Sequence, residues 1–199
     1  MITTIFIVLL AYLLGSISSA ILTCKVMGLP DPRTEGSNNP GATNVFRIGG
    51  KKAAAITLIG DMLKGFVPVL LVTQFWFSPL NLTLAGVAAF LGHLYPVYFR
   101  LQGGKGVATA IGVMLGVHWT LGGALIGTWL VMFGLFRISS FAALTAFLLA
   151  PLYAWFLLPA LNPILAVGTV LIAILMFWRH RSNIAQLLSG TEGKLKPKN

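Results

Sequence analysis

Residues 107–136 read VATAIGVMLGVHWTLGGALIGTWLVMFGLF, thirty positions with no Asp, Glu, Lys or Arg. As one straight helix this stretch is about 45 Å long, well beyond a hydrocarbon core of about 30 Å. It is interrupted near its middle by Gly116, His118, Trp119 and the pair Gly122–Gly123. Two short or broken spans, about 107–117 and 119–136, fit those interruptions better than a single long one.

Working outward, the other apolar segments lie near residues 3–24, 53–77, 82–99, 139–158 and 162–178. With residues 107–136 counted twice there are seven spans, and charge parity tests that count. Lys25, Arg33, Arg47, Lys51, Lys52, Arg100, Lys105, Arg137, Arg179, Arg181, Lys194, Lys196 and Lys198 then share one membrane face. Those are thirteen of fourteen basic residues; the last, Lys64, lies inside a span. Six spans would send Arg179 and the basic tail to the other side. The positive-inside rule therefore predicts seven helices, the N-terminus outside and the C-terminus cytoplasmic. The expected fold is all-α, a single transmembrane domain over residues 1–199. No Lys or Arg precedes Lys25, so residues 3–24 read as an uncleaved first span and not as a secretory signal.

Composition agrees. The chain is 57% hydrophobic and 9% charged, against about 25% charged in soluble domains. Its net charge of +10 punctuates apolar runs and does not form the solvated basic face of a nucleic-acid binder. Cys24, the single cysteine, reads as a small packing residue.

Any chemistry must come from the basic face. The first loop contains Gly36-Ser37-Asn38-Asn39-Pro40-Gly41-Ala42-Thr43-Asn44 and then Arg47. Small residues admit a ligand close to the backbone, Ser, Thr and Asn supply neutral hydrogen bonds, and Arg47 offers a fork for phosphate or carboxylate. A turn loop carrying a positive-inside arginine explains the same residues. Gly103-Gly104-Lys105-Gly106 directly precedes an apolar helix, a pattern that presents N–H groups and an ammonium to an anion. It lacks the Walker A spacing. Arg137-Ile138-Ser139-Ser140 and Arg179-His180-Arg181-Ser182-Asn183 complete the face, either as interfacial anchors or as ligand groups. Together these four junctions supply what a phosphorylated substrate requires.

Asp61 and Lys64, three residues apart within a span, can meet on one helix face, as a functional pair or as a mutually neutralising packing pair. His93 reads as a hydrogen-bonded packing residue and His118 as interfacial. Only Asp31, Glu35, Asp61 and Glu192 are acidic. That small inventory argues against a multi-carboxylate magnesium site, and no His-x4-Asp dyad or evident Ser-His-Asp triad exists. An enzyme built this way needs a substrate that is already activated. A transporter for an anionic metabolite and a headgroup-binding structural subunit are the competing readings.

These junctions, in this order, resemble the bacterial membrane acyl-phosphate:glycerol-3-phosphate acyltransferase family. The matching pieces are Gly15-Ser16-Ile17, Gly36-Ser37 with Asn39 and Gly41-Ala42-Thr43-Asn44, Asp61 with Lys64-Gly65, and Gly92-His93. Gly103 to Thr109, Ser140, and His180-Arg181 with Asn183-Ile184 follow. Ser18, Asn38 and Ser182 depart from the residues common there (Pro, Gly and an acid, respectively).

The resemblance implies a seven-helix enzyme of the bacterial cytoplasmic membrane, its active site facing the cytoplasm. Acyl transfer would run from acyl phosphate to the sn-1 hydroxyl of glycerol 3-phosphate, giving lysophosphatidic acid. By position, Ser37, Arg47, Lys105 and Ser140 would form the phosphate pocket. Thr43, Asn44, His180 and Asn183 would bind glycerol 3-phosphate and orient the reacting carbonyl. Lys105, Arg47, His180 and Asn183 are the expected catalytic set, with no metal and no cofactor. Expected partners are the two substrates and membrane lipid, with the enzyme that makes acyl phosphate as a candidate and no nucleic acid.

Overall fold

The computed structural model describes residues 1–158 and 163–194. Residues 159–162 of the turn expected after the sixth span, and the tail lysines Lys196 and Lys198, lie outside the described residues. Among the described residues the structure is all helical, without strands. It comprises α1 (Ile2–Gly15), α2 (Ser19–Val26), α3 (Ala42–Phe75), α4 (Pro79–Leu94), α5 (Val107–Val117), α6 (Trp119–Phe136), α7 (Ser139–Leu157), α8 (Pro163–Arg179) and α9 (Arg181–Leu188).

Five segments are long and apolar enough to cross a membrane: Ile2–Val26, Ala42–Phe75, Pro79–Phe99, Trp119–Phe136 and Ser139–Leu157. The pair α8 and α9, bent by 61°, makes a sixth if taken as one span. Helix α5 has 11 residues, about 16 Å of rise, too short to cross alone.

The long segment 107–136 does divide at His118. That residue is extended (φ −161°, ψ 131°), ending α5 and capping α6. Its Nδ1 lies 2.6 Å from Thr120 Oγ1. The first loop is shorter than the composition suggested, because α3 starts at Ala42 and not near residue 53. Gly50, with φ of 75°, kinks it, and Thr43, Asn44 and Arg47 thereby stand on its opening turns.

Helices α3 and α5 pack most intimately. A Cβ at Gly65 would collide with the Thr109 carbonyl, and one at Gly112 with the Met62 carbonyl. In lipid such close approach replaces the hydrophobic effect as the source of helix association. Phe90, Leu94, Met114, Leu121, Phe147, Ile172 and Met176 fill the centre. The outer face of α6, by contrast, exposes Leu130, Val131 and Leu135, as a lipid-facing helix does.

Deep in the bundle the Lys64 ammonium meets Asp61 Oδ1 at 2.9 Å and donates to the Ile17 carbonyl at 2.7 Å. That carbonyl belongs to the break between α1 and α2, so Lys64 satisfies a backbone acceptor left over there. His93 Nδ1 stands 3.7 Å from the same Asp61 oxygen and makes no hydrogen bond. His93, expected as a packing residue, is buried against the pair.

Candidate active site

A cavity of about 250 Å³ opens where the helix ends meet. Ser37, Thr43, Asn44, Arg47, Lys105, Ser140, His180 and Asn183 all line it. The eight residues singled out in the sequence, drawn from four separate junctions, therefore share one chamber.

The first loop is organised by Asn44, which is 1% exposed. Its amide nitrogen donates to the carbonyls of Pro32 and Glu35, both at 2.9 Å. Its oxygen accepts from the Ser37 amide at 2.9 Å. Asp31 and Arg33 pair at 2.6 Å just outside. Thr43 Oγ1 lies 3.0 Å from Ser139 Oγ, tying α3 to the start of α7. Arg47 has no hydrogen bond or ion pair among the described residues, so its guanidinium stays available.

The glycine loop is clamped from one side by Arg179. Its Nη2 donates to the Gly103 carbonyl at 2.9 Å and to the Gly104 carbonyl at 3.0 Å. Nε adds a bond to Gly104 at 3.2 Å, and the guanidinium lies 5.6 Å from the centre of the Tyr95 ring. Arg179 therefore buttresses the loop. Arg181 folds back on the Trp178 ring and carbonyl, the behaviour of an interfacial anchor. Gly106, in the left-handed region with φ of 88°, turns the chain into α5 and leaves Lys105 projecting into the cavity.

Lys105 Nζ donates to Asn183 Oδ1. Burial lowers the Lys105 pKa from its ordinary value; nearby Glu192 works against the fall, and Arg179 and Arg47 add to it. His180, at the bend beyond α8, is 2% exposed. Its Nδ1 lies 2.9 Å from the Met176 carbonyl, which can only accept, so that nitrogen carries the proton and Nε2 is the acceptor. Burial pushes its pKa down to about 4 despite that bond, so His180 is neutral at pH 7.

One participant is new. Glu192 Oε1 accepts from Ser140 Oγ and from Asn183 Nδ2, the latter at 2.7 Å. Nothing in the sequence around a lone glutamate in a polar tail marked it. The bend between α8 and α9, followed by a chain reversal at Gly190 (φ 70°), brings it back.

Away from these groups the wall is mainly apolar, with Leu58 and Met62 from α3, Ile111 from α5, and Ile126, Trp129 and Leu130 from α6, and the buried Asp61 and His93 reach it between them. Leu58 and Leu130 are also exposed on the outside of the bundle. The chamber thus runs from a cationic, hydroxyl-rich mouth to the lipid-facing surface between α3 and α6. Both halves of the divided segment 107–136 contribute to its wall.

The family model for glycerol-3-phosphate acyltransferase matches residues 5–190. The chain belongs to the glycerol-3-phosphate acyltransferase family. A family enzyme of Hydrogenovibrio crunogenus is 54% identical over 186 residues, covering 94% of this chain and 88% of the relative. The glycerol-3-phosphate acyltransferase of Methylococcus capsulatus is 51% identical over 188 residues, 94% of each chain. In three dimensions the chain is similar to the crystal structure of PlsY (YgiH), an integral membrane glycerol 3-phosphate acyltransferase, in its glycerol 3-phosphate form. The TM-score is 0.91 at 39% identity, over 98% of this chain and 96% of the other. A second form of that enzyme, with lysophosphatidic acid, gives 0.89 at 39% identity, over 96% and 95%.

Proposed function

We propose that this protein transfers a fatty acyl group from acyl phosphate to the sn-1 hydroxyl of glycerol 3-phosphate, releasing phosphate and lysophosphatidic acid for phospholipid synthesis. The observation that carries this is the two-ended chamber: cations and hydroxyls at one end, an apolar wall reaching lipid at the other. An amphiphile with a phosphorylated head fits both ends at once. The family membership and the two PlsY forms support the acceptor and the product.

In this reading the membrane is crossed seven times, α5 making the fourth crossing together with the non-helical residues at its two ends, with the N-terminus outside and the site facing the cytoplasm. The one-sided distribution of basic residues supports that orientation.

Acyl phosphate is a mixed anhydride, and its phosphate leaves readily once its charge is held. Arg47 and Lys105, with Ser37 and Ser140, hold it and stabilise the charge gathering on the departing oxygens. Thr43, Asn44, His180 and Asn183 seat the acceptor, Asn44 also through the loop it fixes. The acceptor oxygen bonds to the carbonyl carbon, the carbon–oxygen bond to phosphate breaks, and the hydroxyl proton passes to the acceptor's own phosphate. Neutral His180 Nε2 accepts a hydrogen bond from the acceptor's second, non-reacting hydroxyl and so orients the first. Fixing hydroxyl and carbonyl in one chamber supplies the proximity contribution.

Purified protein in detergent or lipid mesophase, given palmitoyl phosphate and glycerol 3-phosphate, should release phosphate and lysophosphatidic acid in equal amounts. Omitting either substrate should abolish both, and EDTA should change neither. Turnover with palmitoyl-CoA in place of palmitoyl phosphate would refute the donor; no turnover with either donor in folded protein would refute the transfer.

A further inference from the structure

The mouth of the chamber gathers cations and hydroxyls suited to anions, and one carboxylate of the chain itself lies in it. Glu192 Oε1 takes the Ser140 hydroxyl and the Asn183 amide. Lys105 donates to the other end of that same amide. The backbone that delivers Glu192 is a short strap: Gly190 reverses the chain (φ 70°). The amides of Thr191 and Glu192 then bond to the Gln186 carbonyl at 2.8 and 3.1 Å. Leu188 through Thr191 are exposed. Among the described residues the two bonds to Glu192 are the strap's only side-chain ties to the chamber.

We infer that Glu192 is an internal occupant of a phosphate seat formed by Ser140, Asn183 and Lys105, and that substrate binding exchanges its carboxylate for a phosphoryl group. The physical reasons are donor geometry and charge. Ser140 Oγ has one proton to give, and with the Asn183 oxygen engaged by Lys105 the Asn183 nitrogen must point at the seat. A carboxylate and a phosphate dianion both satisfy these donors, but not together. Two like-charged oxyanions in a partly buried site repel, and the single hydroxyl proton cannot serve both. The dianion carries the greater charge and draws Lys105 and Arg47 more strongly, so it prevails at saturation. In its absence Glu192 keeps the donors satisfied and offsets the repulsion between Lys105 and the arginines around it, which are Arg47 and Arg179. The inference rests on the proposed function for the identity of the natural ligand, but the exchange itself can be read with inorganic phosphate alone.

The test uses the full-length protein in detergent with Lys194→Cys carrying a nitroxide label, two residues beyond Glu192 and outside the chamber. Titration with inorganic phosphate should convert a restricted spectrum into a mobile one, saturating at the Kd that calorimetry gives for phosphate. In E192A the label should be mobile from the start, and phosphate should bind about tenfold more tightly. That factor is the scale of one hydrogen bond to a charged group no longer surrendered. A spectrum unchanged at saturating phosphate would overturn the exchange. Weaker or unaltered phosphate binding by folded E192A would do the same, making Glu192 a support for the seat. If E192A fails to fold, the titration of the labelled protein with native Glu192 decides alone. Absence of acyl transfer would remove the proposed function and leave the titration readable.

Discussion

Two groups of charge in this molecule are handled in opposite ways. Asp61 and Lys64, side by side on α3, are 2% and 8% exposed and close on each other and on the Ile17 carbonyl. Lys105 and Arg47 stand at the helix ends with no carboxylate in direct contact: Lys105 meets a neutral amide whose other end holds Glu192, and Arg47 has no hydrogen bond or ion pair among the described residues. A charge neutralised where it sits holds the bundle together. A charge left unneutralised, beside hydroxyls and a glycine loop, is prepared for something from outside. Arg179 lies between these cases, a cation satisfied by two backbone carbonyls so that a different cation can be free.

The contrast can be broken most violently in the interior. Lys64→Met leaves a buried carboxylate alone and should cost about 3–5 kcal/mol of stability. Asp61→Asn with Lys64→Met should recover most of that, as thermal melts in one detergent would show; equal losses would mean the pair is not a closed unit. At the mouth, Lys105→Ala should lower the transfer rate about 100-fold or more with the melt unchanged. A fall of less than about tenfold, 1.4 kcal/mol, would remove Lys105 from the phosphate pocket. Between the two, Arg179→Lys keeps the charge and loses the fork that spans two carbonyls. It should cost about tenfold in kcat/KM, on the scale of one or two hydrogen bonds, and wild-type kinetics would deny the buttress.

The smallest effect concerns pH. His180 has a folded pKa near 4, below the ordinary value of about 6.5. Protonation therefore favours the unfolded chain, and its contribution is intact above about pH 6.5 and fades as pH falls toward 4. Melting temperatures between pH 7 and 5 should drop less in His180→Gln than in the unsubstituted protein. An inflection of the rate at about pH 6 should belong to the second ionisation of the acceptor's phosphate, which takes the proton, and not to His180, which stays neutral there.

Much of this is legible in the sequence. The break at His118 could be placed because a polar residue and clustered glycines interrupt a run too long for one crossing. The chamber could be anticipated because anion-suited residues recur at successive helix ends on one face. Helix α3 was hidden at its start: Gly, Lys and Arg between Ala42 and Lys52 read as loop, although side chains projecting at a bilayer edge need not be apolar. Arg179 and Arg181 are indistinguishable in sequence, and only the Gly103 and Gly104 carbonyls separate buttress from anchor. Glu192 depended on the 61° bend, which no periodicity encodes.

The exposed rim of the chamber at Leu58 and Leu130 has a bearing on kinetics. A donor entering there arrives by lateral diffusion within one leaflet, and its effective concentration is a mole fraction of lipid. Diluting the donor with inert phospholipid at fixed bulk amount should slow the reaction, while diluting the whole suspension with buffer at fixed acceptor should not. The protein would then sample its two reactants from two phases, one counted per litre and the other per lipid.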